Sequence, residues 1–286
     1  MRVMDLKVTR YEIDAHGVAT LTLDRPGRGN SWTGRMHDEY RWICKRLDDD
    51  PAVRVLVLTG AGDVFCAGAD FKALDSYVGA AEYDPALSPT AERPGYGVRP
   101  EFDADMVWQL GLRTPMIAAI NGACAGIAVA LAAFCDLRFA VEDAKITTVA
   151  PKIGLPAEYG LAWILPRLMG VTHAADVLYT GRVIRAAEMR DWGFFNRVLP
   201  RAEFAAAVDE YAHVLAAVSP AAVTSTKRQL WAELLSADPR AAVESSKELI
   251  GQHMRTPDYA EGVAALKEKR APRFGVPVPA VPEEQP

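Results

Sequence analysis

Two glycine-bearing stretches, FCAGAD (65–70) and INGACAGIA (120–128), each follow an apolar run that reads as a strand. A strand-to-helix turn leaves peptide N–H groups without acceptors, and two such turns together could hold an oxyanion. A third group of interest is the carboxylate Glu158 in GLPAEYG. It precedes a helix expected to begin near Tyr159, where the helix dipole would lower its pKa, whereas a general base needs a raised one. The other acids offer less. Asp70 reads as a helix N-cap, and Asp136, Glu142 and Asp143 flank a strand as structural or solvated charges. Asp75, Glu82 and Tyr83 lie in a segment that the sequence does not place, and Trp108 and Trp163 read as core or pocket wall.

Other site types are missing. The sequence has no GxGxxG after a strand, no Walker loop, no GxSxG and no HExxH. Its five histidines (16, 37, 173, 213 and 253) are scattered without ligand spacing, so no metal is expected.

The elements that must hold these groups follow from periodicity. Residues 6–13 and 18–23 alternate around His16-Gly17 and predict a hairpin. Met36, Tyr40, Ile43 and Leu47 mark one face of a helix. VRVLVLTG (53–60) is nearly all apolar, as a strand covered on both faces should be. Residues 75–100 are rich in Pro, Gly and Tyr without a period, and so read as a lid-like loop. A helix over 103–112, a strand at 116–120 and a strand LRFAVE follow. From 172 onward the chain reads as nearly all helix, with segments at about 219–236, 240–254 and 257–269, then a flexible tail over 272–286. Strand–helix alternation with a helical C-terminal third predicts an α/β fold.

Composition sets the class. The 286 residues are 50% hydrophobic and 24% charged, a globular balance with enough apolar surface for a large core. A net charge of −5 gives no reason to expect nucleic acid as a partner. The N-terminus alternates charged and apolar residues without the apolar core of a signal peptide. Cys44, Cys66, Cys124 and Cys135 lack paired spacing and read as reduced, buried thiols. A cytoplasmic location is the expectation. The run from Thr114 to Cys135 carries no charge and is long enough to span a bilayer. Asn121-Gly122 would break such a span, and alanine would insert it weakly, so strand, turn and buried helix is the better reading.

Five segments in order, LDRPGRGNSWT, VRVLVLTGAGDVFCAGADF, TPMIAAINGACAGIAVALAAFCDLRFA, GLPAEYGLAWILPRLMG and EGVAALKEKRAPRF, resemble the enoyl-CoA hydratase/isomerase (crotonase) superfamily from about residue 6 to 275. The resemblance implies a spiral of ββα units over 1–200, a helical trimerisation segment over 201–271, and a homotrimer or hexamer. It implies an acyl-CoA thioester as substrate, with coenzyme A entering only as part of it and no other cofactor. The thioester oxygen would sit between the backbone N–H groups of Ala69 and Ile127. The resemblance further assigns CoA or substrate contacts to Arg25, Arg28, Ala67, Gly68, Asp70, Gly126, Lys269 and Phe274, the last two with the option of serving a neighbouring subunit. Arg28 reads equally well as a solvated turn charge.

The two glutamates that hydratases of this family use fall on Ala130 and Ala150 here. An alanine cannot move a proton. Glu158 occupies the place where family isomerases carry their single acid, so isomerisation is the leading expectation. Hydration by Glu158 with a lid residue, or CoA binding without catalysis, are the alternatives.

Overall fold

The computed structural model describes residues 4–70, 102 and 104–275. The predicted hairpin is present: β1 (Thr9–Ile13) and β2 (Val18–Leu23) pair antiparallel around Asp14–Gly17. Thr33 then caps α1 (Gly34–Asp49), its side chain accepting from the Met36 N–H. The four apolar residues expected on one face, Met36, Tyr40, Ile43 and Leu47, are all buried.

Two sheets are wound together. The larger has the order β1-β2-β3-β5-β7-β10, and the smaller β4-β6-β8-β9. β3 (Val55–Gly60) and β4 (Val64–Cys66) supply one strand to each sheet, as do β5 (Met116–Ile120) and β6 (Ala123–Ala125), and β7 (Leu137–Val141) and β8 (Lys145–Thr147). The second of these units continues into α2 (Ile127–Ala133). This is the ββα spiral that the resemblance implies.

The uncharged run 114–135 is interior. Every residue of β5 and of α2 is buried, so both faces of the strand and all sides of the helix are apolar. Among the described residues no helix is long and apolar enough to cross a membrane.

Three expectations need correction. Among the described residues the helix expected over 103–112 is only a 3₁₀ turn, Val107–Gly111, because Met106 takes a left-handed φ of 66° and Pro115 bars continuation. The helix expected near Tyr159 begins at Leu161 as α3 (Leu161–Thr180), since Tyr159 and Gly160 are both left-handed. The region after 172 is not all helix. β9 (Ile184–Arg185) closes the smaller sheet, and β10 (Arg197–Leu199) lies parallel to β7 at the edge of the larger one. Two- and three-residue strands carry too little periodicity to be read from sequence.

Four helices complete the described chain: α4 (Arg201–Ala216), α5 (Pro220–Glu233), α6 (Pro239–His253) and α7 (Pro257–Glu268). α5 is fastened to the sheet by a buried ion pair, Lys227 Nζ to Asp136 Oδ2 at 2.7 Å. Trp231 Nε1 donates to the other oxygen of Asp136. α6 buries no residue. The four cysteines are all free and buried.

Candidate active site

β4 and β6 are parallel neighbours, with Val64 opposite Ala123 and Cys66 opposite Cys124. The turns that leave them therefore emerge side by side. On the first, the Trp32 N–H donates to Gly68 O at 2.8 Å, and the Asp70 N–H donates to Trp32 O at 3.0 Å. Alternation along an extended chain turns the intervening Ala69 N–H away from Trp32. On the second, the Gly126 N–H donates to Thr147 O at 2.9 Å, and Ile127 opens α2. An N–H in the first turn of a helix has no intrahelical acceptor. Among the described residues neither the Ala69 nor the Ile127 N–H meets a backbone acceptor.

Glycine is required at the two adjoining positions. Gly68 has φ +97°, and a Cβ there would stand 3.0 Å from Ala125 O. Gly126 has φ +54° with ψ −124°, a combination that L residues avoid. The expected oxyanion pair and its glycines are thus brought together.

Two asparagines hold this frame, and the sequence reading missed both. Asn30 is fully buried; its Oδ1 accepts from the Arg25 N–H, and its Nδ2 donates to Ala61 O and Val64 O. Asn121 Nδ2 donates to Gly60 O and Gly62 O. The only signal available in sequence was an Asn within each turn.

The turn from Arg25 to Asn30 lies against the turn that follows β4. Arg28 ends a short 3₁₀ segment, the Ala67 N–H donates to Gly29 O at 2.9 Å, and Arg28 itself is exposed. Among the described residues Arg28 has no ion pair. Arg25 spends its guanidinium on Ser31 O (2.8 Å) and on Asp70 (3.3 Å). Asp70 therefore braces Arg25; the residues it was expected to cap, like Asp75, Glu82, Tyr83 and the whole of 75–100, lie outside the described residues.

Glu158 lies two residues ahead of Gly160, the N-cap of α3, and so outside the first helical turn. Its carboxyl is raised above the ordinary range by burial, not lowered by the dipole as its expected position implied. No ion pair or side-chain hydrogen bond within the described residues compensates it. The turn that carries it is tied to α2: a Cβ on Gly160 would stand 3.2 Å from Phe134 Cζ, and Phe134, the C-cap of α2, stacks with Trp163 at 6.5 Å. Ala130 and Ala150 are both buried.

Two assigned residues are not brought to this site within one chain. The Phe274 carbonyl accepts from Arg54, just ahead of β3. Its ring lines a cleft of about 600 Å³ together with His16, Gly17 and Ala52, at the end of the sheet where β2 and β3 begin. The oxyanion turns lie at the end where those strands finish. Lys269 is exposed and left-handed at the C-terminus of α7. A second cleft of about 420 Å³, lined by His253, Tyr259, Leu266 and Phe274, includes neither Ala69 nor Ile127. Among the described residues no cluster of His, Cys, Asp or Glu could hold a metal.

Fold and site define a class, the ββα spirals in which two glycine turns adjoin and leave two backbone N–H groups without a backbone acceptor. A profile of the enoyl-CoA hydratase/isomerase family matches residues 14–277, and the chain belongs to that family. It is 33% identical over 261 residues to the 1,2-epoxyphenylacetyl-CoA isomerase of Escherichia coli strain K12, covering 90% of this chain and 95% of that protein. It is 34% identical over 263 residues to a probable enoyl-CoA hydratase of Mycobacterium tuberculosis, covering 90% and 89%. A crystal structure of a probable enoyl-CoA hydratase/isomerase from Mycobacterium abscessus superposes with a TM-score of 0.79 at 34% identity, over 93% of this chain and 98% of that one. The enoyl-CoA hydratase of Bacillus anthracis gives 0.81 at 28% identity, over 94% and 99%.

Proposed function

We propose that this enzyme moves the double bond of an enoyl-CoA, with Glu158 as its single proton shuttle. The observation that carries the reading is the Glu158 carboxyl itself: partly buried, uncompensated within the described residues and raised in pKa, while alanines occupy both of the other acid positions. The Glu158 carboxylate removes a proton from C2 of a 3-enoyl thioester. The electron pair passes into the carbonyl, and the resulting dienolate oxygen takes hydrogen bonds from the Ala69 and Ile127 N–H groups. Glu158 then returns the proton at C4, leaving the 2-enoyl ester. One acid suffices, because the proton removed and the proton returned pass through the same group.

The two amides stabilise charge only as it develops, and each is worth about 100- to 1,000-fold in rate. Relatives bear hydratase as well as isomerase names, so the test must separate the two reactions. Purified protein and Glu158→Gln are each given a 3-enoyl-CoA and a 2-enoyl-CoA, and conjugation is followed by absorbance. The isomerase reading requires conversion of the 3-enoyl ester that disappears in the variant. Hydration of the 2-enoyl ester that survives Glu158→Gln sinks it.

Assembly as a homotrimer or hexamer belongs to the same reading. It is supported by the exposed apolar side chains of the C-terminal helices, Val243, Ile250, Met254 and Leu266. A neighbouring subunit's C-terminal segment could then bring Phe274 and Lys269 to the site. Light scattering at several concentrations measures the assembly.

A further inference from the structure

Among the described residues two buried ring nitrogens have no hydrogen-bond partner: His37 Nε2 and Trp108 Nε1. His37 is 2% exposed and Trp108 4%. Buried polar groups are nearly always hydrogen-bonded, so each orphan calls for a specific occupant. The two belong to one closed circuit of contacts. His37 Nε2 lies 3.9 Å from Asp105 Oδ1, which lies 3.8 Å from Arg41 Nη1. The Arg41 guanidinium stands 5.9 Å from the Trp108 ring centroid, and Trp108 packs on Tyr40 at 5.5 Å. Tyr40 packs on Trp32 at 5.6 Å, and Trp32 on His37 at 5.9 Å. The Tyr40 hydroxyl is already engaged by Gln109, so the two ring nitrogens are the unmet groups of the circuit.

Its place is set by Trp32, whose backbone is bridged directly to Ala69. Trp32 thus ties the circuit to the segment whose backbone runs one strand spacing, about 4.8 Å, from the backbone of Ala69. Met106, between Asp105 and Trp108, has a left-handed φ of 66°. Backbone held in a sparsely populated region persists where the surroundings over-determine it, and function is one reason.

The chemistry of the two nitrogens narrows the occupant. An indole N–H only donates, so the bound atom must accept. Burial, and then the Arg41 charge, push His37 down to about 4, so at neutral pH its ring is uncharged and holds one donor and one acceptor nitrogen. A hydroxyl meets both demands: its oxygen takes the Trp108 N–H, and its proton goes to His37 Nε2 or to Asp105.

We propose that His37 and Trp108 bind a hydroxyl on the distal part of the acyl group, selecting hydroxylated acyl-CoA esters over hydrocarbon ones of equal length. The inference rests on the acyl-CoA reading above and names the substrate class of that same site. The test is calorimetric titration of saturated acyl-CoA esters and their terminally hydroxylated counterparts, across a series of chain lengths. The proteins are the wild type, His37→Phe, His37→Gln and Trp108→Phe, each checked for its thermal transition.

At one length or more the wild type should prefer the hydroxylated ester by at least about tenfold. His37→Phe and Trp108→Phe should bring that ratio close to one, and His37→Gln, which keeps a hydrogen-bonding terminus, should retain part of it. Absence of a preference in the wild type at every length overturns the proposal, as does a preference that survives both Phe substitutions. If neither the esters nor coenzyme A bind, the acyl-CoA reading itself has failed. Binding without discrimination removes only the hydroxyl subsite.

Discussion

A Cβ placed on Gly126 would stand 3.9 Å from the Cα of Gly68, though 58 positions separate the two in the chain. Both glycines are held at positive φ, and each is followed by a residue whose N–H has no backbone acceptor among the described residues. Parallel pairing of β4 with β6 makes that approach possible. It brings together the two turns to which the proposed function assigns the oxyanion.

Gly126→Ala should therefore act on rate and stability together. The ψ of −124° at positive φ is strained for any Cβ-bearing residue, at a cost of about 1–3 kcal/mol. Relaxing that strain moves the Ile127 N–H, so turnover should fall by about 100- to 1,000-fold. Steady-state kinetics and the urea midpoint read the two effects separately. Unchanged turnover would falsify the assignment of Ile127.

Glu158 sets a pH dependence of known sign. Its folded pKa lies above its unfolded value because burial penalises the charged form. Ionising it therefore destabilises the fold, a cost that develops as pH rises from the unfolded to the folded pKa and then stays constant. Glu158→Gln should raise the thermal midpoint at neutral pH while abolishing isomerisation. In the wild type, activity should rise with pH through a pKa higher than an ordinary glutamate's. A variant less stable than wild type at neutral pH would contradict this account.

Lys227 and Asp136 form a pair almost wholly removed from water. Lys227→Met would leave Asp136 with Trp231 and the Met116 N–H but without the ammonium it pairs with. Breaking a buried pair in this way costs about 3–5 kcal/mol. Denaturant unfolding should show a loss of that size, with α5 the element released. A loss below 1 kcal/mol, roughly that of a surface pair, would mean that water reaches Asp136.

His213, in the last turn of α4, meets Asp14 of the β1–β2 turn through Nε2 at 2.8 Å and Asp209 through Nδ1 at 3.3 Å. The hydrogen bond to Asp14 is the main cause of its raised pKa. The ring of His16 stands 4.9 Å away, and Arg54 and Arg273 line the same cleft. Because the folded pKa is raised, this stabilisation is complete below the unfolded histidine pKa and disappears as pH rises through the folded one. NMR titration should place His213 above a free histidine, and His213→Gln should flatten the stability profile in that window. A His213 that titrates like a free imidazole would rule out the ion pair with Asp14.

Much of the frame was legible in the chain. The hairpin, α1, β3, β5 and the wholly apolar α2 follow from periods of two and of three to four and from the Asn121-Gly122 turn. Lines of sequence could also mark Ala69 and Ile127, through glycine turns and family resemblance. What they could not carry was anything made by distant contacts. β9 and β10 are too short for a period, and Met106 ends a helix that its neighbours favour.

Local composition, then, determined which segments would be buried and where the chain must turn, while the positions that lack the acids of a two-glutamate hydratase came from the family resemblance. The first two depend on residues a few places apart. The tertiary structure alone decided that the Gly68 and Gly126 turns meet, and that Arg25 braces Asp70. It alone decided that Phe274 lies at the far end of the sheet, and that His37 and Trp108 share a buried circuit. It also reversed the expectation for Glu158, since a carboxylate's pKa is set by what surrounds it in space, and two left-handed residues carry that carboxylate out of the helix and into partial burial.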